Sequence, residues 1–225
     1  MTVLHLADET EAADLAAFLS RLLHYDRGAA VRLQAAGTAL AVFGRPPSFE
    51  VLAVRAVRLA KPYENGLDVS LDVTVSAGQL LESVDERAAT AGVPAAVTGP
   101  PWAGVLPPRG GWRAEPGLPA PDALRATVAA AVTEFRSRTE ELAPDGRTRA
   151  ELDRIGRDIW SREIGRTGFP VRAVHAAQSL GFLRPGGDPA DTALFSSGAW
   201  LRLRTPYGSV AVRRAGLGAL GVSVR

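Results

Sequence analysis

A chain of 225 residues has room for one large domain or two small ones. Apolar residues make up 46% and charged residues 22%, so a real core is available, but aromatics are only 6% and Leu, Val and Ala must supply most of the packing. The absence of cysteine excludes a disulfide framework and a thiolate metal site. The net charge of +2 hides an asymmetry: residues 1–145 carry 13 basic and 18 acidic groups, net −5, whereas residues 146–225 carry 13 and 6, net +7. Such a split points to a polyanionic partner for the C-terminal part, or to a charge-matched contact between the halves. Arginine identity itself carries little weight, because Lys61 is the only lysine.

The start, Met1-Thr2-Val3 followed by Asp8, Glu9 and Glu11, lacks the basic and apolar segments of a signal peptide. The longest uncharged run, Ala88 to Pro108, holds five prolines and cannot form a membrane helix. A cytoplasmic protein without a membrane partner is expected.

Residues 2–7 read as a strand. Asp8 and Glu11 have capping-box spacing, and Leu15, Phe18, Leu19, Leu22 and Leu23 follow on one helical face to about His24. Val31 and Leu33 alternate with Arg32 and Gln34, Gly37 turns the chain, and Leu40 to Phe43 returns. Residues 49–59 form a longer strand whose large apolar side chains switch parity between Val54 and Val57, which predicts a bulge or a strand buried on both faces. Residues 67–76 alternate without error, so a half-buried antiparallel strand with Asp68, Ser70 and Asp72 in water is expected. Ser76 and Gln79 then open a helix carrying Leu80, Leu81, Val84 and Ala88. This order, β-α-β-β-β-β-α, resembles the repeating half-module of a sliding clamp in topology alone; no clamp signature residues are present.

Residues 92–121 hold eight of the 16 prolines, six glycines, and both Trp102 and Trp112. The composition is that of a linker, but two indoles are a large apolar surface, so an ordered connector lying against the domains is expected. The segment Gly99-Pro100-Pro101-Trp102-Ala103-Gly104-Val105-Leu106-Pro107-Pro108-Arg109-Gly110-Gly111-Trp112, with the Trp200–Arg204 run and the helix ending Leu180-Gly181-Phe182-Leu183, resembles uncharacterised actinobacterial proteins; the resemblance implies no activity.

Leu124, Val128, Ala131, Val132, Phe135 and Leu142 mark a helix over about 122–142. Thr148 and Glu151 cap a second, with Leu152, Ile155, Ile159 and Trp160, and Pro170 opens a third, with Val171, Val174 and Leu180 inward. A hairpin pairs Leu201 and Leu203 with Val210 and Val212 around Thr205-Pro206-Tyr207-Gly208, and a last strand is expected over 217–224. The fold class is therefore α+β: an antiparallel-sheet domain with two helices over 1–91, a connector over 92–121, and three helices plus a hairpin, the order of a winged helix, over 122–225.

Two sets of residues suit nucleic-acid binding. Arg172, His175 and Ser179 share a face of the third helix, the face that would enter a major groove. Trp200, Arg202 and Arg204 share a hairpin face opposite Arg213, and residues 192–225 contain five Arg and no acid. The bland counterparts are a solvated helix face and arginine stems covering Trp200. A third set, Trp102, Arg109 and Trp112, would frame a small-molecule groove between the domains or simply fasten the connector. Catalytic signals are poor. His5, His24 and His175 are scattered, so no metal is expected, and Gly216, Gly218 and Gly221 match GxGxxG with too little chain after them to form a dinucleotide site. Asp68 and Asp72 would stand about 13 Å apart on a strand, too far for a retaining carboxylate pair. No cofactor and no catalytic residue are assigned. Nucleic acid is the first partner, with a protein partner or a second copy as the alternative.

Overall fold

The computed structural model describes residues 2–47, 49–60, 71–186 and 188–214. It is α+β, as expected. The N-terminal half runs β1 (Val3–His5), α1 (Glu9–Tyr25), β2 (Ala30–Ala36), β3 (Ala39–Gly44), β4 (Leu52–Arg58), β5 (Asp72–Ser76), α2 (Ala77–Glu82), β6 (Val84–Asp85) and β7 (Thr90–Gly92). The C-terminal half runs β8 (Arg113–Glu115), α3 (Pro121–Glu140), α4 (Arg149–Trp160), α5 (Val171–Ser179), β9 (Ala193–Ser197), β10 (Trp200–Thr205) and β11 (Gly208–Arg213). No helix among the described residues is long and apolar enough to cross a membrane.

One antiparallel sheet of eight strands, in the order β5-β2-β3-β4-β11-β10-β9-β8, joins the halves; a small sheet β1-β7-β6 lies apart. The junction is β4 against β11, with Val54 opposite Ser209, Ala53 opposite Val210 and Leu52 opposite Ala211. Side chains alternate across the sheet. One face carries Val31, Leu33, Leu40, Val42, Ala53, Val57, Val75, Leu201, Leu203, Val210 and Val212 into a single core that also takes Leu15, Phe18, Leu19 and Leu22 of α1 and Val171 and Val174 of α5. The parity switch in 49–59 has its explanation here. Ala53 and Val57 face that core, whereas Leu52 and Val54 join Phe43 in a second, smaller cluster on the opposite, outer face.

Helix starts obey local chemistry. Asp8, Ser76 and Thr148 each accept a hydrogen bond from the backbone N–H three residues on, satisfying a donor the helix leaves unpaired. The second helix of the N-terminal half departs from expectation. It stops at Glu82, because Ser83 Oγ lies 2.7 Å from the carbonyl oxygens of both Leu80 and Gly92, and Val84–Asp85 then pairs with β7 instead of continuing the turn. Strand β5 begins at Asp72; Asp68 and Ser70, and the expected strand over 217–224, lie outside the described residues. Asp72 is exposed, as expected, and forms a surface ion pair: Arg32 donates to both carboxylate oxygens at 2.7 and 2.9 Å, and Gln34 adds a third bond. The hairpin forms in the expected register around Pro206-Tyr207, but it is no free-standing wing, since β4 and β9 flank it. Its Gly208 has φ 153°, and a Cβ there would meet Phe182 Cε1 at 2.5 Å.

A buried charge cluster sits under the junction. Arg55 of β4, with a side chain only 7% exposed, donates to Glu11 at 2.9 Å, to Asp14 at 3.2 Å and to the Tyr207 carbonyl at 2.8 Å. Arg184 donates to the other Asp14 oxygen at 2.6 Å, and its guanidinium lies 3.9 Å from the Tyr207 ring centroid. Glu11, which a capping box would turn back onto its own helix, is drawn to Arg55 and Arg58 instead. Removing one member unbalances the others: Arg55→Ala is expected to cost about 3 kcal/mol by urea denaturation, because two largely buried carboxylates each lose one of their two arginine partners and the Tyr207 carbonyl loses its donor. Arg58→Ala, on a side chain that water already screens, should cost far less.

Candidate nucleic-acid interface

The candidate residues divide by side of the sheet. Trp200, Arg202 and Arg204 alternate with the fully buried Leu201 and Leu203, so they stand on the outer face, opposite Arg213, Ala211 and Ser209 of β11. Helix α5 packs on the inner face, against β11. Arg172, His175 and Ser179 are therefore on the far side from the hairpin arginines. Arg172 faces Glu50 at 3.5 Å. The His175 ring stacks on Trp160 at 4.8 Å and meets the edge of Phe49 at 5.2 Å. Arg172 and His175 thus tie α5 to α4 and to the segment after β3.

The outer face of the C-terminal strands is cationic and aromatic. Arg202 donates from Nε to Ser209 Oγ at 3.0 Å and lies 5.6 Å from the Trp112 ring. Arg204 lies 4.8 Å from the Phe195 ring, and Arg213 5.8 Å from the Trp200 ring. None of the three makes an ion pair among the described residues, whereas Arg138, Arg154 and Arg162 on the helices are paired with acids. On this face β9, β10 and β11 present Ala193, Phe195, Ser197, Trp200, Arg202, Arg204, Ser209, Ala211 and Arg213, with no acidic side chain. Burial, and after it the neighbouring Arg204, push Arg202 below the ordinary arginine value. It remains a cation at neutral pH and has no counter-ion among the described residues.

The connector crosses this outer face. The Val97 N–H donates to Thr74 at the β5 edge, Trp102 and Leu106 pack on Phe43, Leu52 and Val54, Ser197 donates to Gly110, and Arg113–Glu115 pairs with β9 near the other edge. The three residues expected to frame one groove are thus spread along it. Trp102 sits over the N-terminal strands and Trp112 beside Arg202, with its indole donating to Pro108, while exposed Arg109 extends toward Asp72. Asp72 is held below the usual carboxylate range chiefly by the Arg32 hydrogen bond, with Arg109 contributing least. A groove of about 430 Å³ does exist, but Trp102 shares it with Asp26, Arg45, Ser76, Gly99 and Pro100, and neither Arg109 nor Trp112 lines it. Sequence spacing could not have placed Arg45 or Asp26 there, since they reach it from separate loops. Among the described residues no group of three or more His, Asp or Glu could hold a metal ion.

Residues 1–104 match the model of one domain of unknown function (DUF8010), and residues 107–217 match that of a second (DUF8185). The two matches adjoin, and neither model's description carries an activity. None of the curated proteins matches it. Among solved structures it is similar to the DNA polymerase sliding clamp of Pseudomonas aeruginosa, crystallised with a ligand, at 12% identity and a TM-score of 0.45. That alignment covers 92% of this chain and 63% of the clamp, so the chain spans less than two thirds of that protein.

His175 yields a pH prediction. Desolvation lowers its proton affinity from the ordinary 6.5. The unfolded chain then binds the proton more readily, and the stability held above pH 6.5 is lost as pH falls through 6.5 toward the folded value. The difference in urea midpoint between the natural protein and His175→Phe should therefore shift against the natural protein between pH 7.5 and 5. A difference independent of pH would exclude the assignment.

Proposed function

We propose that the protein binds nucleic acid through the outer face of the β10–β11 hairpin. The observation that carries the reading is the set of three arginines, Arg202, Arg204 and Arg213, on one sheet face without an acidic neighbour there. Their guanidiniums are spaced by strand geometry and sit beside Trp112, Phe195 and Trp200, so phosphates meet cations while sugars or bases meet ring surfaces. Arg172, His175 and Ser179 take no part in this reading, because their helix lies across the sheet.

The test is fluorescence anisotropy with labelled single-stranded and duplex DNA from low to physiological salt. The full chain is used, since β11 takes β4 as a sheet neighbour and a C-terminal fragment would lose it. Neutralising about three phosphates gives a log–log salt slope near −3, and Arg202→Gln, Arg204→Gln or Arg213→Gln should each remove about one unit of it. Absence of binding at low salt would end the nucleic-acid reading and favour a protein partner.

A further inference from the structure

The groove beside Trp102 is a second feature of the outer face, and nothing in the hairpin reading uses it. It lies where the turn after α1, the end of β3 and the segment 97–102 meet. Its volume of about 430 Å³ is within the range of sites that enclose a small ligand. Three side chains give it chemical character. The Trp102 ring is fixed by Phe43, Leu52 and Val54, and its indole donates no hydrogen bond among the described residues, whereas that of Trp112 does. Arg45 is exposed and makes no ion pair among the described residues. Asp26 uses Oδ1 to accept from the Gly28 N–H, which leaves its second oxygen available. Arg45 and Asp26 line the same groove, and no ion pair joins them. An unpaired cation, an anion and a flat ring lining one groove match a ligand that carries a phosphate, a planar ring and an amino donor.

We infer that this groove receives one unstacked base of a single-stranded nucleic acid, with the adjoining phosphate on Arg45. The inference rests on the hairpin reading, because the two places belong to one surface. Ala30 and Ser76 pair with each other on the same sheet face as Arg32 and Thr74, which is the face of Arg202 and Arg213. Strand β3, which Arg45 follows, is three strands from β10, or about 14 Å at ordinary strand spacing. A few nucleotides of extended strand bridge that distance. Duplex cannot make the second contact, because its bases are stacked inward, whereas a splayed base presents a ring to Trp102 and an amino edge to Asp26. Gly99 and Pro100 line the groove without long side chains, which leaves room for the ring.

The test compares a twelve-residue oligodeoxycytidine with a duplex of equal length, using full-length Arg45→Gln, Trp102→Leu and Arg202→Gln. Arg45→Gln changes an exposed side chain, so it keeps the question open even if Trp102→Leu, which removes a packed ring, fails to fold. Loss of a stacked base and its phosphate contact should weaken single-strand binding about tenfold in either groove variant and leave duplex binding unchanged. Arg202→Gln should weaken both. If Arg45→Gln and folded Trp102→Leu bind the oligonucleotide like the natural protein while Arg202→Gln does not, the groove inference is overturned and the hairpin reading stands. If Arg202→Gln also binds normally, both fall.

Discussion

The pairing of β4 with β11 is the contact on which the rest of the molecule depends. It is short, with three residue pairs, yet it turns two chain halves into one sheet and one core. Beneath it Arg55 fills a position that alternation assigns to an apolar side chain. A guanidinium there is costly unless its hydrogen bonds are met, and Glu11, Asp14 and the Tyr207 carbonyl meet most of them. Only its Nε, buried, has no partner. The cluster draws one ligand from the hairpin turn and two from the first helix, so it forms only when both halves are in place. Arg184, clasped between Asp14 and the Tyr207 ring, repeats the arrangement from another segment.

Once the halves share a sheet, its two faces acquire different fates. Helices α1 and α5 cover one face with aliphatic packing. The other is too wide for the connector that crosses it, which anchors by Trp102 at one side and Trp112 at the other. What the connector leaves uncovered is set by strand parity. Leu201 and Leu203 must face the core, so Arg202 and Arg204 cannot. The cationic surface is therefore tied to the same register that builds the core, and a slip of one residue would bury the arginines.

Much of this was legible in the chain. Alternation found β2, β3 and the β10–β11 hairpin, and helical periodicity found α1, α3, α4 and α5, because each has a face that meets the same core along its whole length. Capping spacing found three helix starts, since a cap needs only neighbours three residues away. What escaped was decided at long range. Strand β9, Ala193–Ser197, is a five-residue Ala-Leu-Phe-Ser-Ser run without alternation, and it exists because β10 and β8 flank it. The early end of α2 comes from Gly92, nine residues from Ser83. The partners of Arg55 are 41 to 152 positions away, and no local pattern announces them. The groove has the same character: Asp26, Arg45 and Trp102 come together only after the connector has crossed the sheet.

The charge asymmetry offered two explanations, and ion pairs between the halves bear on one of them. Part of the basic excess of the C-terminal half is spent on the acidic half, through Arg184 with Asp14 and Arg172 with Glu50. Part is balanced within the C-terminal half itself, where Arg154 pairs with Glu151 and Arg162 with Asp158. The hairpin arginines belong to neither group. They stand where β9, β10 and β11 contribute no acid to the outer face, and Arg202 among them is already partly dehydrated by Trp112 and its neighbours. Dehydration without a counter-ion is unfavourable for folding alone. Snorkelling stems that merely cover Trp200 would leave their heads in water. Arg202 does not fit that description, and this is why the proposal of an anionic partner rests on the hairpin rather than on the more numerous arginines of α3 and α4.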